Sequence, residues 1–333
     1  MFNRRQFAKG LAGVAAAATI AGCATGKPAG PVVTGRRTFT SLKQVQAGPL
    51  NIGYAEEGPS DGPVVLLFHG WPYAIYSYVD VAPILAAAGY RVIVPFLRGF
   101  GSTTFLSPDT VRNGQQAATA SDAIALLDAL HIEKAVFGGF DWGGRTATCV
   151  AALWPERVKA ATLVSGYAVN NLKANLQPLD PAAEHGWWYQ YYFAVERGVL
   201  GYTQNRQAFN KLIWNLLSPT WKFDDATYEQ SAPAFDNPDH VAIVIHNYRW
   251  RLSLAEGEAQ YDALEQRLQA GPTISVPTIT IGSDFDGTNI NGASYRDKFT
   301  GKYQHRELPG IGHNVPQESP QNFARAVIDA DHL

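Results

Sequence analysis

The sequence predicts an α/β fold with a mostly parallel central sheet, helices on both faces and an inserted helical cap, and three observations carry that expectation. Short, continuous apolar runs alternate with helix-like stretches from Arg37 to Gly166, as in strands buried on both faces of a parallel sheet. A segment of about 167–271, rich in Trp and Tyr and without such runs, interrupts the alternation before it resumes at Pro277. A glycine-rich turn, Gly138-Gly139-Phe140-Asp141-Trp142-Gly143-Gly144, joins a strand-like run to a helix-like one. The domain boundaries that follow are a core of 37–166 and 272–333 and a cap of 167–271.

The chain opens with an address rather than a fold. Arg4-Arg5 followed by the apolar run Leu11 to Ile20 reads as a twin-arginine signal, and the run is short for a bilayer span. Ile20-Ala21-Gly22-Cys23 resembles a bacterial lipobox, which would make 1–22 a signal peptide and Cys23 the lipidated new N-terminus. Residues 23–36, rich in Gly, Pro and Ala, then read as a tether. The expected location is the periplasm, lipid-anchored, and Ala24 carries no inner-membrane retention signal, which points to the outer membrane. Of the two cysteines only Cys149 lies beyond Cys23, so no internal disulfide is expected. With 46% hydrophobic residues, a formal net charge of −2 and no basic cluster beyond the signal, the composition fits a globular enzyme and argues against a nucleic-acid partner.

Within the core, Val64 to Phe68, Tyr90 to Val94, Ala135 to Phe137 and Ala161 to Val164 read as strands, and Ser121 to Leu130 as a helix. Three loops at the ends of these runs carry chemistry. His69-Gly70-Trp71-Pro72 follows the first, Leu97-Arg98-Gly99-Phe100-Gly101-Ser102 follows the second, and the turn at Asp141 follows the third. Glycines on both sides of Asp141 are what a nucleophile elbow requires, because a strained strand-to-helix turn leaves no room for neighbouring side chains. The bland alternative is an acidic N-cap on the next helix. After the cap, Pro277 to Ile281 reads as a strand entering Gly282-Ser283-Asp284-Phe285-Asp286, and a last strand from about Gln304 to Leu308 leads to Gly310-Ile311-Gly312-His313. Asp141, an acid and His313 thus stand in nucleophile, acid, base order.

These motifs resemble the α/β-hydrolase fold, and their wording is most similar to its epoxide hydrolase branch. The resemblance implies Asp141 as nucleophile, His313 as base, and Asp286 as the acid that supports it, with Asp284 the alternative. It implies an oxyanion hole made by the backbone N–H groups of Trp71 and Trp142. In the cap, Tyr189-Gln190 and Asn247-Tyr248-Arg249 resemble the segments carrying that branch's two acid tyrosines, Tyr189 and Tyr248. His69 reads as structural. The implied reaction opens an epoxide to a diol through an alkyl ester on Asp141 and needs no cofactor or metal. Haloalkane dehalogenases are the first alternative, since Trp142 follows the nucleophile as it does there. Fluoroacetate dehalogenases share Gly143-Gly144-Arg145 but usually place Arg directly after the nucleophile and a His-Trp pair where Tyr189-Gln190 stands. An idle, lipid-anchored binding protein on the same scaffold is a further alternative. The aromatic cap suggests a small apolar or aromatic substrate, while oligomeric state is not encoded in any motif.

Overall fold

Nine strands account for the centre of the computed structural model, which describes residues 37–333. They are β1 Leu42–Ala47, β2 Leu50–Glu57, β3 Val64–Phe68, β4 Arg91–Pro95, β5 Thr104–Phe105, β6 Ala135–Gly139, β7 Val158–Val164, β8 Thr278–Ser283 and β9 Tyr303–Leu308. The expected signal, Cys23 and tether lie outside the described residues. The sheet order is β1-β2-β4-β3-β6-β7-β8-β9, with β5 pairing to β2. From β4 to β9 every pairing along this order is parallel, whereas β1 and β2 form an antiparallel hairpin that joins β4 antiparallel. The sequence matches this split: VVLLF in β3 is apolar throughout and almost entirely buried, while LKQVQA in β1 keeps one face in solvent.

Helices α1 Val81–Ala87, α2 Gln116–Ala129 and α3 Trp142–Leu153 alternate with the strands, and α11 Val315–Glu318 and α12 Pro320–Asp331 close the chain. Between β7 and β8 the chain leaves the sheet and runs through helices: α4 Leu172–Asn175, α5 Pro181–Gly186, α6 Trp188–Ala194, α7 Glu196–Leu217, α8 Asp225–Ser231, α9 His240–Arg251 and α10 Asp262–Gln269. The aromatic residues of this insertion pack on each other and on the loop after β3. Trp71, for example, lies within 5.3 Å of Tyr189 and 5.2 Å of Tyr248 between ring centroids. The insertion therefore shares its core with the carboxyl-terminal edge of the sheet, where ligand sites of open α/β sheets form.

A buried ion pair fixes the second loop. Arg98 donates from Nε and Nη2 to the two carboxylate oxygens of Asp122 at 2.6 and 2.7 Å, the two-pronged geometry that makes such a pair tolerable inside a protein. Cys149, behind the elbow on α3, is a free buried thiol, and burial raises its pKa.

Candidate active site

Asp141 sits between β6 and α3 with φ 53° and ψ −125°, a backbone conformation that an L-residue adopts only under constraint. The constraint is close packing: a Cβ on Gly143 would stand 1.9 Å from the Phe68 carbonyl oxygen, so helix and strand meet with no side chain between them. The strain aims the Asp141 carboxylate out of the sheet. Its Oδ1 accepts the Trp71 backbone N–H at 2.8 Å, and its Oδ2 lies 3.3 Å from His313 Nε2. Burial pushes the carboxyl pKa up, but the bond to His313, the His313 charge, Arg145 and the Trp142 backbone N–H together hold it below its ordinary value. Asp141 therefore stays ionised at neutral pH. Of the two expected oxyanion donors, the Trp71 N–H hydrogen-bonds this carboxylate and the Trp142 N–H contributes to lowering its pKa.

The loop after β3 is held from behind. The Trp71–Pro72 peptide is cis. The Trp71 indole donates from Nε1 to the Tyr202 hydroxyl at 2.8 Å, and that hydroxyl lies 2.9 Å from His240 Nε2. His240 Nδ1 faces the Gly99 carbonyl at 2.9 Å, which can only accept, so Nδ1 carries the proton and Nε2 accepts from Tyr202. Burial pushes the His240 pKa down to about 3, consistent with a neutral ring. His69 works the same way: Nε2 accepts the Leu97 N–H at 3.2 Å, Nδ1 donates to the Gly70 carbonyl at 3.0 Å, and burial lowers its pKa to about 4. Both histidines tie loops together and neither touches the carboxylate of Asp141.

Tyr189 on α6 and Tyr248 on α9 come together over Trp71, their ring centroids 5.5 Å apart and nearly perpendicular. Burial raises the pKa of both phenols, with the Asp141 charge adding to the rise in each. Two protonated phenols and one ionised carboxylate thus influence one another's charge, their pKa values pushed apart by environment. A cavity of about 630 Å³ lies against Tyr189, walled also by Trp187, Trp188, Leu212, Leu216 and Phe285. Its wall is mostly apolar and aromatic.

The acid is placed less directly. Asp284 and Asp286 share a 3₁₀ turn after β8. Asp286 Oδ2 accepts the Ser283 N–H at 2.8 Å, and Asp284 Oδ1 accepts the Gly310 N–H at 3.0 Å. His313 Nδ1 is buried and bonds neither carboxylate. Asp286 is nonetheless close enough for the His313 charge to stabilise its carboxylate, although burial leaves its pKa raised overall. Between the two acids, Phe285 packs its ring against that of His313 with centroids 4.0 Å apart and the planes tilted by 49°. Two groups that sequence reasoning passed over belong to the site's frame, Tyr202 and His240. Helical spacing among aromatic residues looks alike for core and site, so no sequence signal separated them.

Comparison with known proteins agrees with the fold. A family model described as the α/β hydrolase fold matches residues 63–320. Epoxide hydrolase A of Mycobacterium tuberculosis is 26% identical over 314 residues, which cover 86% of this chain and 95% of that protein. A haloalkane dehalogenase of Psychrobacter cryohalolentis is 25% identical over 292 residues, 85% of this chain and 88% of its own. The crystal structure of a provisionally assigned epoxide hydrolase from Klebsiella pneumoniae is similar at 57% identity with a TM-score of 0.87, covering 89% of this chain and 98% of that one.

Proposed function

Because the chain belongs to the α/β-hydrolase fold family and has epoxide hydrolase-like homologues, we propose that it opens epoxides to vicinal diols by way of an ester on Asp141. The observation that carries this reading is the pair of buried, protonated phenols, Tyr189 and Tyr248, packed over Trp71, whose N–H binds Asp141, and close enough to feel the Asp141 charge. An epoxide carbon attacked by a carboxylate expels an alkoxide, and an alkoxide needs a proton where a halide does not.

In the first step Asp141 Oδ2 attacks an epoxide carbon, the C–O bond of the ring breaks, and a tyrosine hydroxyl gives its proton to the new alkoxide. Oδ1 remains as the ester carbonyl, facing the Trp71 N–H that already binds it at 2.8 Å. In the second step His313 Nε2 takes a proton from water, and the hydroxide adds to the Asp141 carboxyl carbon. The Trp71 and Trp142 amides receive the negative charge on the tetrahedral oxygen. Collapse breaks the bond between the carboxyl carbon and Oδ2, the departing alkoxide recovers a proton from His313, and the proton left on the Asp141 carboxyl returns through solvent to the tyrosinate, which restores the starting enzyme. Asp286 is the acid proposed to steady the His313 cation, with Asp284 holding the Gly310 turn instead. The helical insertion serves as a cap whose aromatic wall selects small apolar or aromatic epoxides.

The dehalogenase reading has one observation of its own: the indole N–H of Trp142, the residue after Asp141, is buried and makes no hydrogen bond, with the Tyr248 side chain as its neighbour. Its potential companion donor, the Trp71 indole, is committed to Tyr202. The deciding experiment is a single turnover of an aromatic epoxide by excess enzyme in ¹⁸O-water. Ester chemistry leaves the label in Asp141 and the diol unlabelled, whereas direct attack of water on the epoxide labels the diol. Parallel assays for chloride release from a chloroalkane distinguish the alternative. We further propose export and lipid anchoring through Cys23, which membrane fractionation of a Cys23→Ala variant tests.

A further inference from the structure

The loop that carries His313 is tied to the helical insertion as well as to the sheet. Glu318, at the end of α11, accepts the Gly312 N–H on Oε2 at 2.7 Å and the Asn314 N–H on Oε1 at 3.0 Å. Ser218, which ends α7, takes the amide between them: the His313 N–H donates to Ser218 Oγ at 2.9 Å. The Ser218 hydroxyl in turn donates to Glu318 Oε1 at 2.6 Å. Three consecutive amides around the proposed base therefore end on one hydroxyl–carboxylate pair. Ser218 is 1% exposed. The contact is also steric, since a Cβ at Gly312 would meet Ser218 Oγ at 2.5 Å and Ser218 Cα at 2.7 Å.

A carboxylate that merely capped the short α11 turn would need only the Asn314 amide. It would have no use for Gly312, nor for a serine 100 residues away on another element. We propose that Ser218 and Glu318 are positioning residues for His313, and that they make the placement of the base depend on how α7 seats on the core. This rests on the reading of His313 as the base of ester hydrolysis. With Nδ1 unbonded and Phe285 packed against the ring, these bonds fix the backbone from which the ring reaches Asp141. Displacement of a catalytic group by about 1 Å costs about 10²-fold in rate.

The proposal separates the two half-reactions. Attack by Asp141 needs no proton moved by His313, whereas ester hydrolysis does. The test compares the intact protein with its Ser218→Ala and Glu318→Gln variants on an aromatic epoxide, with the two steps resolved by rapid quench and intact mass. Glu318→Gln keeps the shape but replaces one acceptor oxygen with an N–H donor. The expected result is ester formation within about twofold of wild type, hydrolysis slowed by about 10²-fold, and ester on Asp141 accumulating in the steady state. Equal slowing of both steps, or wild-type partitioning, overturns the inference. Circular dichroism and melting temperature identify a variant that has lost its fold. Should Glu318→Gln fail there, Ser218→Ala, which removes only a hydroxyl, decides the matter. A wild-type protein that forms no ester defeats the functional reading and the inference with it. A wild-type protein that turns over normally while the variants partition like it defeats the inference alone.

Discussion

Asp141 and His313 face each other across 3.3 Å, yet the molecule holds them in opposite ways. Asp141 is fixed by the core: a strained backbone at φ 53°, a glycine contact that admits no side chain, and an amide on one carboxylate oxygen. His313 is fixed by periphery: its loop hangs on Glu318 and on Ser218 of the insertion, and its Nδ1 bonds no acid. The proposed nucleophile is held by the sheet, while the proposed base depends on loops and on the insertion. Substitutions near Asp141 should therefore act on ester formation, and substitutions near His313 on ester hydrolysis.

The largest expected effect lies on the nucleophile side. Asp141→Gly removes the nucleophile and relieves the positive φ, so turnover should fall by roughly 10⁶-fold. Both Asp141→Gly and Asp141→Ala lose the carboxylate's bonds, so the glycine variant should be the more stable of the two by about 1 kcal/mol, read from denaturant midpoints. Equal stability of the two would mean that the elbow is not strained. On the base side, Asp286→Asn should slow ester hydrolysis by roughly 10⁴-fold and leave ester formation alone, whereas Asp284→Asn should stay near wild type. The reverse pattern would reassign the acid. Between the two sides, Tyr189→Phe and Tyr248→Phe should each lower ester formation by about 10²-fold without affecting hydrolysis of an ester already formed, as rapid-quench kinetics would record.

How far the sequence led follows the same division. Strands β3 and β6 to β8 were legible because burial on both faces demands unbroken apolar runs, and the elbow was legible because close packing demands glycine. The hairpin of β1 and β2 was not read, since LKQVQA keeps its outer face in water and breaks the apolar run. Helix α2 begins at Gln116, ahead of the run read from Ser121, because its buried first turn is built from Gln, Ala and Thr. The contacts that hold His313 were invisible for a different reason. Ser218 and Glu318 lie 100 residues apart, and no spacing rule joins them. Nor did spacing choose between Asp284 and Asp286, which share one turn and differ only in where their carboxylates end up.

Smaller effects concern pH. Burial raises the pKa of Tyr189 and Tyr248 above the ordinary 10.0, so ester formation should persist beyond about pH 10, where ordinary phenols ionise. An alkaline limb below pH 10 would contradict the phenol assignment. At the acid end, His69 and His240 are neutral when folded and titrate near 6.5 when unfolded. The unfolded chain takes up protons first, so stability should decline as pH falls from about 6.5 towards about 4. Melting temperatures across that window check it, and a His240→Gln variant should flatten the slope.

The central claim is that Asp141 forms a covalent ester which His313 then resolves. The most direct measurement uses a His313→Gln variant, incubated separately with an aromatic epoxide and a chloroalkane, followed by intact mass and peptide mapping. The account predicts an adduct on Asp141 equal to the whole mass of the epoxide. An adduct formed only with the chloroalkane, lighter than the reagent by HCl, would make the protein a dehalogenase, and no adduct with either would contradict covalent catalysis at Asp141.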